Sequence, residues 1–434
     1  MATASAVGLQ ELRCESMTLG NGLRVRLIPL PHLQSATVSC FVRAGSRYES
    51  QNTNGLSHFL EHMLYRGTAR HPKAHELNLA IERLGGTLDA ATHVDFTSYD
   101  LTLPRETITE GTELLADVLQ NPLLTELGTE KQIIREEILE ELNEQGEQID
   151  IDNVSRQLLY GEHSLGFTIA GPISNLDAFG VNDLHRHHRA HYAAKNTVLC
   201  VAGAFDEEAI KAVIARGFES FQTGTASHGG KWKPSTGQPR FSYVHESGSQ
   251  TEVRLSFHTP GVGSADAPTF ILLDRILDDG LSTRVHQTVC EERGLAYEAF
   301  SGQDTFEDCG VYDFGASVEH GKVPTLVDTL LELVAALTKA TPTPEEIDKA
   351  KRRYLWDLRT VVDDPEDTSH FIGTSALFSL PESLQTIADQ VMAVTAEDVR
   401  RVVRDYLTPS KAHLTCVGVL EDRVLRSLEG AICQ

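Results

Sequence analysis

The sequence predicts an α+β protein of two homologous domains, each a mostly antiparallel sheet packed with helices. Three observations carry this. Segments that alternate apolar and polar residues, the mark of half-buried strands, are interleaved with stretches of helical periodicity. The order of these segments in the first half recurs in the second at matched points roughly 209–217 residues apart, which points to a duplicated domain. Between the halves, residues 222–240 are rich in Gly, Ser, Thr and Pro, a linker composition. The domains are therefore placed at 1–221 and 241–434, with 222–240 between them.

In the first half, residues 23–29 alternate as a strand, and 35–45 form a second that ends in a turn. A histidine-bearing helix follows, then a helix over 74–84 stopped by Gly85 and Gly86. Residues 87–92 and 97–103 read as a strand pair. Helical periodicity returns over 107–119 and, strongly charged, over 129–145; a last helix (182–191) leads into the apolar strand 197–203. The second half repeats this with a strand at 250–257 and a helix at 268–277. Residues 293–301 take the place of 84–91, helix 327–337 that of 112–119, and helix 344–360 that of 129–145. Residues 399–406 and 412–418 correspond to 182–203. Helices are expected on one side of each sheet.

At 434 residues the chain is long enough for several buried cores, and its 41% hydrophobic and 23% charged content is ordinary for a soluble protein. A net charge of −24 argues against nucleic acid and anionic membranes as partners. The first eleven residues lack the basic segment and apolar core of a secretory signal and are not of the arginine-rich transit type. No apolar run is long enough to span a bilayer. The seven cysteines are scattered without a C-x-x-C pair and read as reduced thiols. A soluble, cytoplasmic protein is expected.

One stretch carries chemistry. In residues 55–63, His58, Glu61 and His62 spell H-x-x-E-H on a helix whose apolar positions are Leu56, Phe59, Leu60, Met63 and Leu64. Residues four apart on a helix are neighbours, so His58 and His62 can share one metal ion. Glu61 flanks the same face, where a carboxylate can deprotonate a water held by the metal. The bland alternative is a polar helix face that happens to bear two histidines. A catalytic zinc usually has three protein ligands. The charged helix offers Glu130, Glu136, Glu137, Glu140 and Glu141, with Ile133, Ile134, Ile138 and Leu142 as its buried stripe, and composition does not choose among them. His187 and His191, four apart in a histidine-rich helix, lack an acidic partner and read as a polar helix face.

Three motifs taken jointly are specific: His58-Phe-Leu-Glu-His62-Met-Leu-Tyr-Arg-Gly-Thr, Leu84-Gly-Gly-Thr-Leu-Asp-Ala-Ala-Thr-His-Val-Asp-Phe-Thr-Ser-Tyr, and Glu130-Lys-Gln-Ile-Ile-Arg-Glu-Glu137. With them the chain resembles the pitrilysin family of zinc metallopeptidases, the inverzincins. Over nearly its whole length it is most similar to the short bacterial type, which is akin to the β subunit of the mitochondrial processing peptidase. The resemblance implies one Zn²⁺ per chain, held by His58, His62 and Glu137. Glu137 lies 75 residues past His62 and seven past Glu130, as the family's third ligand does; Glu136 is the competing position. It implies Glu130 as the carboxylate that orients a ligating histidine. Glu61 would be the general base on zinc-bound water in peptide-bond hydrolysis, a zinc metalloendopeptidase reaction. Family members bind peptide as an added strand, and the segment matching here includes Asp89, Ala90 and Ala91, with Asp89 where the family usually has Asn.

The second half departs from the pattern. Active members carry an Arg and a Tyr seven apart that bind the substrate backbone; Tyr297 fits the tyrosine, but the position seven before it is Cys290. A thiol does not offer arginine's charged fork. In a heterodimer, a metal-free paralogue would supply the Arg/Tyr pair while this chain supplies zinc. In a homodimer, Arg284 or Arg293 would substitute, or activity would be impaired. The alternative to an enzyme is a non-catalytic scaffold or processing-partner subunit of the same fold.

Overall fold

The computed structural model describes residue 9, residues 12–234 and residues 240–433; the reading of the first eleven residues and of linker residues 235–239 falls largely outside these. The chain forms two compact units. The first contains residues 1–138, 168–230 and 357–386; the second contains 139–167, 231–356 and 387–434. Each unit thus takes one segment from the other half of the sequence.

The first unit is built on six strands: β1 (Glu15–Thr18), β2 (Arg24–Pro29), β3 (Ser35–Val42), β4 (Thr87–Thr92), β5 (Thr97–Pro104) and β6 (Thr197–Gly203). Their order across the sheet is β1-β2-β6-β3-β5-β4. Only β2 and β6 pair in parallel. The central strands explain their own position. Every residue of β6 is buried, as is every residue of β3 after Ser35, the pattern of strands covered on both faces. β4, at the edge, alternates between exposed and half-buried residues.

Helices therefore lie on both faces of the central strands, not on one. The helix Pro365–Phe378 sits on β3 and β6. Its Ile372, Ala376 and Leu377 pack with Ile28, Leu30, Phe41, Val198, Cys200 and Ala202. Burying each large aliphatic of such a cluster stabilises by about 1.5–3 kcal/mol. Gly373 permits the close approach: a Cβ there would lie 2.1 Å from the Phe41 ring.

The second unit repeats the plan with β7 (Phe241–His245), β8 (Thr251–Pro260), β9 (Ala299–Thr305), β10 (Cys309–Val318) and β11 (His413–Gly418). The order β7-β11-β8-β10-β9 matches β2-β6-β3-β5-β4, again with one parallel pair, β7 with β11. Here the helix Ile151–Tyr160 covers the sheet, with Ser155 Oγ 3.0 Å from Ser256 Oγ and Val154 and Ile151 packed near Val417 and Val244. The segment 293–301 is a strand only from Ala299 onward.

The charged helix spans Leu127–Glu140 and does not reach residue 145. It stops because Asn143 Oδ1 accepts from the backbone N–H groups of Gln145 (3.0 Å) and Glu147 (2.9 Å), which turns the chain. Its buried stripe is Glu130, Ile134 and Ile138; Ile133 is 49% exposed and Leu142 only partly buried. Among the described residues six cysteines stand outside any disulfide, and no helix is long and apolar enough to cross a membrane.

Candidate metal centre

The helix Leu56–Leu64 is almost wholly interior, with Leu56, Phe59, Leu60, Met63 and Leu64 in the core and His58 and Glu61 buried as well. A buried helix N-terminus needs acceptors for its free N–H groups. Glu49 supplies them: its carboxylate accepts from the backbone N–H of Gly55 (2.9 Å) and Ser57 (2.7 Å) and from Asn54 Nδ2 (3.1 Å). Burial raises the Glu49 pKa, with those donors acting in the opposite sense. Gly55 enters the helix at φ +100°, a left-handed conformation that favours glycine. In the first turn, Ser57 Oγ lies 3.0 Å from His187 Nε2.

Three side chains converge from two helices. His58 Nε2 and His62 Nε2 stand 3.2 Å apart. Glu137 Oε1 is 3.3 Å from His58 Nε2, and Glu137 Oε2 is 3.7 Å from His62 Nε2. Four-coordinate zinc with bonds of about 2.0–2.1 Å places neighbouring ligand atoms about 3.3 Å apart, so this donor set fits that ion. The fit follows from local sequence. A four-residue step brings the imidazoles together, and a seven-residue step puts Glu130 and Glu137 on the stripe of Ile134 and Ile138. Glu136 lies outside the cluster, exposed.

The surroundings fix the ring of His62. Its Nδ1 is 2.8 Å from Glu130 Oε1, and the other Glu130 oxygen is bonded by Arg66 Nε. A carboxylate at Nδ1 makes that nitrogen the N–H donor and leaves the Nε2 lone pair facing His58 and Glu137. Burial alone would lower the His62 pKa, but the bond to Glu130 and the charges of Glu61, Glu130 and Glu137 raise it. The Glu137 carboxyl is held below its ordinary value, chiefly by His58. Glu130 is also lowered: burial opposes this, but His62 and Arg66 prevail. His58 Nδ1 is buried without a hydrogen-bond partner.

Glu61 is buried at 9% exposure and is not one of the converging ligands. Thr92 Oγ1 donates to its Oε2 at 2.6 Å. Thr92 ends β4, whose one strand partner among the described residues is β5. Asp89, Ala90 and Ala91 occupy the middle of this edge, opposite Asp100, Tyr99 and Ser98. Tyr65 OH donates to the Leu88 carbonyl at 3.2 Å, tying the edge to the end of the histidine helix.

Glu49, Arg66 and Thr92 were not singled out from the sequence. Arg66 and Thr92 stand inside quoted motifs, and a buried helix start without a local cap is the signal for Glu49. His187 is buried against Ser57, so it is not part of a solvated polar face. Tyr297 belongs to the second unit, 97% exposed, ahead of β9. In that unit Arg284 holds Glu346 through two bonds of 2.6 and 2.9 Å. Arg293 bonds Thr329 (2.6 Å) and Glu332 (2.7 Å). Cys290 is half-buried, and burial raises its thiol pKa.

Comparison with known proteins gives the family and the fold. Residues 24–173 match the family model "Insulinase (Peptidase family M16)", and residues 178–354 match "Peptidase M16 inactive domain". An uncharacterized zinc protease of Bacillus subtilis is 28% identical over 91% of this chain and 96% of its own length. The mitochondrial-processing peptidase subunit beta of Lentinula edodes is 28% identical over 94% of this chain and 90% of its own. The crystal structure of a protease from Helicobacter pylori superposes with a TM-score of 0.85 at 22% identity, covering 94% of this chain and all of that one, which is agreement of fold. With two adjoining family models and relatives that span its length, the chain belongs to peptidase family M16, the pitrilysin family, and is of the short bacterial type.

Proposed function

We propose that this chain is the zinc-bearing subunit of an endopeptidase that hydrolyses peptides or unfolded segments, with one Zn²⁺ held by His58, His62 and Glu137. The observation that carries the reading is the convergence of two imidazole Nε2 atoms and one carboxylate, with a separate buried carboxylate, Glu61, held beside them by Thr92. Zinc bound there would supply Lewis acidity, acidifying a water and polarising a scissile carbonyl. Glu61 takes the proton from that water and passes it to the leaving amine. Thr92 orients Glu61, and Glu130, backed by Arg66, holds the His62 ring. The open edge of β4 at Asp89, Ala90 and Ala91 accepts the substrate as an added strand, so binding depends mainly on its main chain. Where the partner is a second copy of this chain, Tyr297 contacts the substrate backbone; with a metal-free paralogue, the paralogue's tyrosine does so.

The active particle contains two chains. Cys290 stands where an arginine is wanted, and Arg284 and Arg293 are both engaged with carboxylates. This favours a metal-free paralogue as the partner that supplies the Arg/Tyr pair, over a homodimer. The particle works in the cytoplasm. The second reading, a scaffold or processing-partner subunit, is favoured by the family's inactive domain but leaves the Glu61–Thr92 arrangement without a purpose.

Zinc content and peptide cleavage test the reading together. Wild type should hold zinc at this site and cleave unstructured peptides; Glu137→Gln should lose both, and Glu136→Gln neither. A wild-type chain that binds no zinc would leave the scaffold reading. Full activity from the lone chain would remove the need for a paralogue.

A further inference from the structure

A second group of ligating side chains converges in the first unit. Asp100, Glu366 and His370 each offer an atom within 4.8 Å of the others, the one such group among the described residues besides His58, His62 and Glu137. Asp100 lies on β5, opposite Ser39 of β3 and Asp89 of β4. Glu366 and His370 are four apart in the first turns of the Pro365–Phe378 helix, the spacing that also brings His58 and His62 together. His370 Nε2 is 2.9 Å from Asp100 Oδ2, and its ring meets Phe41 edge-on, with centroids 5.0 Å apart. Thr102 Oγ1 donates to Glu366 Oε2 at 3.2 Å.

Two features are unexplained by an ion pair alone. Asp100 is only 4% exposed, yet its Oδ1 is buried with no hydrogen-bond partner. A bare carboxylate oxygen in the interior is costly. The charges also do not balance: Asp89 faces Asp100 directly across the ladder and Glu366 closes from the helix, against His370 and a neighbouring His93 whose pKa is lowered by burial. Like charges opposite one another weaken a sheet. Carboxylate oxygens with one imidazole suit a divalent cation such as zinc.

We propose that Asp100, Glu366 and His370 form a second divalent-cation site that pins the start of the Pro365–Phe378 helix to β5. Side chains alternate along a strand, so Asp100 points to the face opposite Tyr99 and Thr97, whose partner in the ladder is Thr92. The site is thus on the other side of the sheet from Glu61, and its role is structural. It does not rest on the peptidase reading.

The test is equilibrium dialysis of the full chain against Zn²⁺, with metal counted by mass spectrometry, in wild type, Glu137→Gln, Asp100→Asn and the double variant. Two equivalents are expected in wild type, one in each single variant and none in the double. Zinc should raise the melting temperature of Glu137→Gln and leave that of the double variant unmoved. If Glu137→Gln binds no zinc and its melting temperature ignores the ion, the second site does not exist. Loss of the first site alone, by contrast, appears as wild type binding one equivalent that Asp100→Asn removes. Should Asp100→Asn fail to fold, His370→Gln serves in its place. Anomalous diffraction at the zinc edge from crystals of wild type then decides: a peak among Asp100, Glu366 and His370 supports the site, and its absence overturns it.

Discussion

The two units share the order of five strands and one parallel pair, yet among the described residues only the first holds a converging His/His/Glu set. Where the first unit places His58, Glu61 and His62, the corresponding helix of the second, Ala267–Leu277, buries Thr269, Phe270, Leu272, Leu273, Ile276 and Leu277. Its acid Asp274, partly buried, accepts from Tyr312 OH at 3.1 Å and is pushed by burial up to about 6. The duplicated scaffold therefore supplies a position, a helix laid beside an edge strand, and a few side chains decide whether it has chemistry. Function lives in those side chains, not in the fold.

The sharpest way to break this comparison is to make the first unit's helix like the second's. His62→Gln should abolish zinc binding at that site and drop peptide cleavage to background, with folding preserved by circular dichroism. Activity surviving in that variant would place the chemistry elsewhere.

Acid should expose a property of a histidine pair in the second unit. His258 and His413, with rings 5.1 Å apart, are held by burial at about 3 and about 4. These folded-state values lie below the ordinary ~6.5, so both are neutral in the fold. Their contribution is complete above ~6.5 and is lost as pH falls toward 4 and then 3, at most about 1.4 kcal/mol per pH unit for each histidine. Hydrogen exchange of the β8 and β11 amides, corrected for intrinsic rates, should show protection falling from pH 7 to 5. Flat protection over that range would mean that the pair is solvated.

Glu130→Gln probes the support of the metal rather than its ligands. It should weaken zinc about 10–100-fold while leaving Glu61 in place, read by competition with a chelator. An unchanged affinity would make the Glu130–His62 bond incidental.

The swapped helices give the smallest effects. Gly373→Ala drives a methyl into Phe41 and should destabilise by about 1–3 kcal/mol. Ser155→Ala removes one hydrogen bond to Ser256 and should cost about 1 kcal/mol. Denaturant unfolding checks both, and a reversed order would mean that the first unit's helix packs more loosely than its contacts imply.

Much of this was legible in the sequence because it is local. The H-x-x-E-H helix, the seven-residue step from Glu130 to Glu137 and the strands β2 to β6 all show in short windows. The helices Ile151–Tyr160 and Pro365–Phe378 did not, since each covers a sheet whose other strands come from the opposite half of the chain. Pro365–Phe378 also buries residues around most of its girth, which blurs its periodicity. Its apolar side chain predicts Ile133 on the buried stripe; the helix turns Glu130 inward instead, since His62 and Arg66 satisfy its charge. Glu49 and Thr92 act through contacts eight and 31 residues away in sequence, and no periodicity reports those.

The central claim is that Glu61 acts as a base beside the His58–His62–Glu137 cluster. Glu61→Gln keeps the shape and the hydrogen bond with Thr92 but removes the base. Zinc content and peptide turnover of this variant, measured on the same preparation as wild type, test the claim most directly. The expected result is an unchanged zinc content with turnover lowered about 10²–10⁴-fold. Turnover equal to wild type at equal zinc would contradict it.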